Sequence, residues 1–308
     1  MLAKKTVGFR FLLSQAIADI LILLQFGMLP GVIILLQKSF IPKSLDWWLH
    51  IYMDGVWWVM CYHFILIAWS RFAAVWRPLN FRLLKSKFCY TLCLISWLAG
   101  FLQSAITHQF DWFAIFWFDP SSYGMTADWI KYSSGGTRIY YLISNGFFII
   151  APAPLYACAC GVLLNQQRAT VHNNSRAAPT RGNVMDHNQQ QQQQQPRTNG
   201  ERQMRVEKRL IVPCAISSVL FAFGQVIINL GVADGKWIGW SVMVVFSANA
   251  FVNPILFLAC SSVIRKQLSS FWRKSADSIL PSSNIAQLSR SHRVSSILPH
   301  SNDIILHA

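Results

Sequence analysis

Six long apolar stretches alternate with polar segments along the chain, at about 11–36, 45–69, 88–107, 139–164, 210–230 and 237–260. Each approaches or exceeds the ~20 residues that a helix, rising ~1.5 Å per residue, needs to cross a hydrocarbon core. Helix is the expected form, because lipid offers no hydrogen-bond partners to an open backbone. Six spans put both termini on one side. Lys4, Lys5 and Arg10 ahead of a Leu-rich run imitate a secretory signal. That run is interrupted by Asp19 and Pro30, is longer than the ~7–15 residues of a signal core, and has no clear small-residue cleavage site. It reads as a retained helix.

Composition supports the bilayer as solvent: of 308 residues, 53% are hydrophobic and 13% charged, too apolar for one water-soluble core of ordinary make-up. The net charge of +15 would suggest a nucleic acid or an anionic surface as partner until the charges are mapped. Lys4, Lys5 and Arg10 form one cluster, Arg71, Arg77, Arg82, Lys85 and Lys87 a second, segment 165–209 a third, and Arg265, Lys266, Arg273, Lys274, Arg290 and Arg293 a fourth. Together these hold 22 of the 27 basic residues, leaving Lys38, Lys43, Lys131, Arg138 and Lys236 to the opposite loops. A split that follows the alternation of the spans is the positive-inside rule, and it places both termini in the cytoplasm. The basic excess records topology, and no nucleic-acid partner is expected.

The sequence divides into a bundle over 1–275, a cytoplasmic loop at 165–208 and a Ser-rich cytoplasmic tail at 276–308. The loop carries seven consecutive glutamines, Gln189 to Gln195, and cannot bury enough apolar surface to offset its ordering entropy, so a disordered spacer is expected. The outward segment 110–138 is crowded with Trp112, Phe113, Phe116, Trp117, Phe118, Tyr123, Trp129 and Tyr132. Such density suits an interfacial belt or packed cap, with a lid over a ligand entrance as the alternative. Ile264, Leu268, Phe271 and Trp272 fall at helical spacing opposite Arg265, Lys266, Arg273 and Lys274, predicting an amphipathic helix over 264–274 in the inner interface. In the tail, Arg293, Ser295 and Ser296 outline a weak basophilic phosphorylation site.

Polar residues inside spans carry most of the candidate chemistry. Asp19 sits mid-span, where a carboxylate requires a partner or water. Asn249 and Asn253, four apart and so on one helix face, are offered by the last span just before Pro254. One polar cluster joining Asp19, Asn249 and Asn253 would satisfy all three; separate solvation in a loose bundle is the alternative. Cys61, Cys89, Cys93, Cys158, Cys160, Cys214 and Cys260 all fall in or at the ends of spans. They provide neither an outer disulfide framework nor the four closed ligands of structural zinc. No metal site is expected.

At the inner end of the second span the chain reads Ser70-Arg71-Phe72-Ala73-Ala74-Val75-Trp76-Arg77-Pro78-Leu79-Asn80-Phe81. This resembles the Asp-Arg-Tyr region of rhodopsin-like G-protein-coupled receptors, matching at Arg71, Phe72, Ala74, Val75, Pro78, Leu79 and Phe81. Ala16-Ile17-Ala18-Asp19 resembles the second-helix element of that family, Trp97 its fourth-helix tryptophan, and Pro152 or Pro154 its fifth-helix proline. Asn253-Pro254-Ile255-Leu256-Phe257 resembles the seventh-helix Asn-Pro-x-x-Tyr. The resemblance makes the six spans helices two to seven of a seven-helix, all-α membrane bundle whose first helix is not in view. Within the family the closest likeness is to nematode serpentine chemoreceptors, class x first. Ser70 replaces the acid that usually restrains the arginine. The sixth-helix Cys-Trp-x-Pro element and the usual outer disulfide are missing.

The resemblance implies a chemosensory receptor in the plasma or ciliary membrane of a sensory cell, linking an extracellular small molecule or peptide to a heterotrimeric G protein. Coupling and activation would fall to Ser70, Arg71, Phe72, Pro78, Asn253, Pro254 and Phe257. For the ligand, the outer half of the second span offers His50, Asp54, Trp57 and Trp58. Asp54 could pair with a cationic ligand, though amine receptors use the position of Met53; a buried Asp bonded to a neighbouring helix is the alternative. No cofactor is expected beyond a candidate sodium ion near Asp19. Against an enzyme stands the absence of His-Glu-x-x-His, Gly-x-Ser-x-Gly and a phosphate-binding glycine loop. The rivals are a six-span transporter or channel, against which stands the lack of an internal repeat, and a truncated, nonfunctional receptor.

Overall fold

The computed structural model describes residues 7–176, 211–230 and 236–260, with Arg265, Ser269, Ser270, Trp272 and Arg273 beyond them. The chain divides into two units, Met1–Ser261 and Ser262–Ala308. The five described residues of the second are helical; the rest of the stretch 264–274 and the tail 276–308 lie outside the described residues.

In the first unit the helices are α1 (Val7–Leu23), α2 (Leu29–Leu36), α3 (Asp46–Trp76), α4 (Pro78–Arg82), α5 (Ser86–Thr107), α6 (Trp129–Ser134), α7 (Thr137–Ile150), α8 (Pro152–Arg176), α9 (Ile211–Leu230) and α10 (Lys236–Cys260). Among the described residues, Val7–Leu36, Lys43–Trp76, Ser86–Thr107, Thr137–Gln166 and Gly239–Leu256 are long and apolar enough to cross a membrane, and Ile211–Gly224 is a shorter apolar helix. These are the six stretches read from the sequence. Two boundaries move. The first span begins at Val7, which puts Arg10 inside the helix, buried, with a guanidinium N–H 3.7 Å from Cys89 Sγ. The loop expected from residue 165 starts as helix through Arg176, because a helix satisfies its own backbone and does not need lipid to continue; 177–208 lies outside the described residues.

Between α1 and α2 the helix widens into a π segment, Leu24–Met28, where the Leu29 amide donates to Leu24 O five residues back. Pro30 follows at once. It has no N–H to donate, and the wider turn re-satisfies carbonyls that proline would strand, so the span stays continuous.

Helix α3 runs through the centre. Val56, Trp57, Trp58, Val59, Met60 and Cys61 are successive buried residues, so no face is left for lipid, as expected of a helix apolar all round. Contact with α5 is closest at two glycines. A Cβ on Gly100 would lie 2.5 Å from Val59 N, and one on Gly55 would lie 2.4 Å from the Phe101 ring. Small residues at such crossings let backbones approach within van der Waals reach. Hydrogen bonds then fix the rotation: Ser104 Oγ donates to Ile51 O at 2.8 Å, and the Trp97 indole donates to Ser14 Oγ at 3.0 Å. Ser14 Oγ also lies 2.8 Å from His63 Nε2, so α1, α3 and α5 meet at one polar joint.

The outward aromatic segment is a packed cap that includes a hairpin. Strands β1 (Phe116–Asp119) and β2 (Gly124–Ala127) pair antiparallel, with Phe116 opposite Ala127 and Asp119 opposite Gly124. Tyr123 takes a left-handed φ of 52° in the turn. Phe118 enters the same core cluster as Trp57, Trp58 and Met243. Gly136, at φ 92°, opens α7 in a conformation that suits glycine. The aromatic density hid the strands from sequence reading; the Asp119-Pro120-Ser121-Ser122 turn was the available signal.

That turn is held by Asp119, whose carboxylate accepts from Ser121 N and from the Ser121 and Ser122 hydroxyls. Partial burial opposes ionisation, but these bonds outweigh it and hold the carboxyl below its ordinary 3.8. A depressed folded pKa contributes stability that is complete above 3.8 and lost as pH falls through the lower folded value. Because the turn is largely exposed, the effect is local and small. Amide exchange at Ser121 to Gly124 should therefore accelerate only in acid below about pH 4, and Asp119→Asn should abolish that step. An acid step that survives in the variant would mean another group holds the turn.

Candidate functional site

The polar residues predicted inside the bundle gather at two levels. In the middle, each oxygen of Asp19 accepts one amide N–H: Gln15 Nε2 donates to Oδ1 at 2.7 Å, and Asn253 Nδ2 donates to Oδ2 at 3.0 Å. Asn253 Oδ1 in turn accepts from Ser217 Oγ on α9. Asp19, Gln15, Asn253 and Ser217 are all buried, so α1, α9 and α10 are joined by one chain of hydrogen bonds. Asn249 stands apart. Its amide faces Gly224 on α9, where an added Cβ would meet Nδ2 at 2.3 Å, and that nitrogen has no hydrogen-bond partner among the described residues. One helical turn, ~5.4 Å, carries it beyond the carboxylate, and Gln15 occupies the oxygen it would have used. Gln15 was readable in principle, four residues before Asp19 on the same face.

At the inner end of α3, Arg71 is wholly buried, and its guanidinium donates to Gly8 O of α1 at 3.3 Å. Ser70 does not face it: the hydroxyl donates to Ile67 O at 2.8 Å, one turn back on its own helix. Phe72 stacks on Trp76 with ring centroids 5.3 Å apart. Arg77 lies over the Trp76 ring at 4.5 Å. Pro78 opens α4 at its first turn, where a missing N–H costs nothing. Pro254 lies inside α10; the Phe257 side chain is outside the described residues.

Towards the outer end, two of the four predicted ligand residues, Asp54 and Trp58, meet Tyr141 of α7, with His50 beside Asp54. The Tyr141 hydroxyl donates to Asp54, 2.8 Å from each carboxylate oxygen. The ring stacks on Trp58 with centroids 5.9 Å apart, and His50 Nε2 lies 3.9 Å from Asp54 Oδ1. Asp54 is thus bonded to a neighbouring helix. Trp57 packs on Phe221 of α9 and Phe246 of α10 and donates to Asn145 Oδ1 of α7, one turn from Tyr141, at 3.3 Å. Its ring leaves α3 ~100° away from that of Trp58. A residue not singled out in the sequence, His108, completes the group: Nε2 lies 2.8 Å from His50 Nδ1. It follows α5 by one residue, where helical periodicity gives no direction.

Residues 4–273 match the family described as serpentine type 7TM GPCR chemoreceptor Srv. The crystal structure of squid rhodopsin superposes with a TM-score of 0.64 at 12% identity, covering 97% of this chain and 84% of that one. At that identity the likeness establishes the shared fold. No curated protein matches the chain. Where the sequence motifs suggested class x, the matching description is Srv. A mostly helical, multi-pass membrane bundle of rhodopsin type, matched over most of its length, is a receptor by family: the chain belongs to the serpentine Srv family of seven-transmembrane G-protein-coupled chemoreceptors.

Proposed function

We propose that this receptor is chemosensory and couples an extracellular small molecule or peptide to a heterotrimeric G protein at its cytoplasmic face. Arg71 is the observation that carries the reading. A guanidinium buried at the inner seam between α3 and α1, bonded to the backbone of another helix, has partners that must change if those helices separate. That makes it a two-state element of the kind a ligand can bias from a distance. The basic inner segments around Arg77, Arg82, Lys85 and Lys87 offer a surface to the G protein. On the outside, His50, Asp54, Trp58 and Tyr141 supply polar and aromatic contacts for a ligand, and the plasma or ciliary membrane of a sensory cell is the setting in which it would be met.

The six spans correspond in this reading to helices two to seven. An apolar groove of about 420 Å³ between the first and last spans is lined by Gly27, Gly31, Ser247 and Ala248 among others. Small residues there suit close packing of one further helix. An in-frame exon upstream of Met1 encoding ~20 apolar residues would support that assignment, and its absence from the genomic sequence would count against it.

The function is tested on the full chain at a cell surface, by following nucleotide exchange on co-expressed G proteins while odorants and peptides are screened. Ligand-dependent exchange is expected, and Arg71→Ala should reduce it roughly 10- to 100-fold at equal surface expression. Substrate flux or ionic current through the chain with no exchange would sink the receptor reading in favour of a transporter or channel.

A further inference from the structure

At the outer end of α3 a set of hydrogen bonds fails to close. His108 Nδ1 lies 2.8 Å from the carbonyl of Ser104. A carbonyl only accepts, so Nδ1 carries the proton and Nε2 is left with a lone pair. That lone pair faces His50 Nδ1, 2.8 Å away. The Phe116 amide donates to the same His50 nitrogen at 3.3 Å. Among the described residues His50 Nε2 is buried with no hydrogen-bond partner, and Asp54 Oδ1, at 3.9 Å, is too far to serve.

A neutral imidazole has one donor nitrogen and one acceptor, and neither arrangement fits. With the proton on Nδ1, His108 is satisfied, but the Phe116 amide faces another N–H and Nε2 is stranded. With the proton on Nε2, Phe116 is satisfied while two lone pairs confront each other across 2.8 Å. Protonating both nitrogens still sets the Phe116 amide against an N–H. A cation between the two lone pairs would relieve their confrontation at the expense of the long 3.3 Å Phe116 contact, and the carboxylate of Asp54 stands ready to offset its charge.

We propose that His50, Asp54 and His108 form a zinc(II) site beneath the outer cap. One donor atom from each lies within 4.8 Å of the other two, and all three residues are buried. Tetrahedral zinc with bonds of ~2.0–2.2 Å holds its donors ~3.4 Å apart, so the donors need move by only about an ångström, within the reach of ring and carboxylate rotation. The donor set, two imidazoles and one carboxylate, suits zinc and leaves a fourth position open. The surroundings orient the ligands: Ser104 O fixes the His108 tautomer, and the Tyr141 hydroxyl spans both oxygens of Asp54. Phe113 and Phe116 pack on His50 with centroids 5.8 and 5.0 Å away, giving the site an apolar wall. Zinc here would tie α3 to the end of α5 beside β1. The assignment shares His50 and Asp54 with the ligand contacts proposed above, but metal binding is read without any G protein.

The test uses tag-free, full-length receptor in lipid nanodiscs, stripped with chelator and titrated calorimetrically with Zn²⁺ alone. One ion per receptor is expected, with micromolar or tighter affinity, and Co²⁺ in its place should show the intense visible bands of tetrahedral coordination. His50→Gln, Asp54→Asn and His108→Gln should each weaken binding by about 100-fold, while Asp119→Asn should leave it unchanged. Thermal unfolding guards against variants that simply misfold: zinc should raise the wild-type midpoint and leave that of each folded variant unmoved. Should no variant fold, wild-type stoichiometry and the Co²⁺ spectrum decide alone. Substoichiometric zinc, an octahedral Co²⁺ spectrum, or binding that survives loss of both histidines would overturn the site.

Discussion

Gly100→Ala is expected to destabilise the bundle by about 3 kcal/mol or more, the upper range for overpacking a close-packed interior. The added methyl would stand 2.5 Å from Val59 N, 2.6 Å from Val59 Cγ2 and 2.9 Å from Val59 Cα. Two of those atoms are backbone, so no rotamer change relieves the clash and α3 and α5 must part. Parting them also strains the Ser104–Ile51 hydrogen bond and lifts Phe101 from Gly55. Gly146→Ala is the control: nothing lies within 4 Å of its added Cβ, and alanine there should gain up to about 1 kcal/mol from helix propensity. Thermal unfolding in detergent compares the two, and equal effects would show that the helices do not meet at Gly100.

Asp19→Ala is expected to cost about 2–4 kcal/mol. Two interhelical or intrahelical hydrogen bonds disappear, each worth about 0.6 kcal/mol on average within a bilayer, and the Gln15 and Asn253 amides are left buried without acceptors, which costs about 1–3 kcal/mol more. Asp19→Asn should be far milder. Gln15 Oε1 has no partner, so a flip of that amide lets it accept from the new side chain while Asn253 keeps its acceptor. Asp19→Ala and Asn253→Ala should also be non-additive, since they remove the same bond. An asparagine variant as damaged as the alanine one, or additive single losses, would mean that Asp19 and Asn253 do not share a hydrogen bond.

The features legible in the sequence were those with a large free-energy cost behind them. Lipid compels helices of a minimum length, so the six spans could be read from apolar runs. A buried carboxylate compels a partner, so Asp19 could be paired with Asn253 across 234 residues. Harder to read were choices between residues of equal cost. Asn249 and Asn253 share a helix face, and only the axial offset between α1 and α10 decides that Asn253 meets Asp19. Trp57 and Trp58 are equally bulky, and only the rotation of α3 decides which stacks on Tyr141. One acceptor for Arg71 is a backbone carbonyl at Gly8, which every residue possesses and none advertises. His50 and Asp54, four residues apart, were visible as a pair, whereas His108 joins them only through tertiary packing.

The cap has a consequence for how an external molecule would gain entry. No cysteine lies between residues 110 and 138, so thiol reductants have no staple there to cut. The cap is held by hydrogen bonds, Ala114 N to Thr137 Oγ1 at 2.8 Å and Thr137 Oγ1 to Trp112 O at 3.0 Å, and by rings, Phe113 and Phe116 against His50 and Tyr132 against Tyr141, each ring contact contributing about 0.5–1.5 kcal/mol. The attachment of the cap is therefore independent of the redox state of the medium.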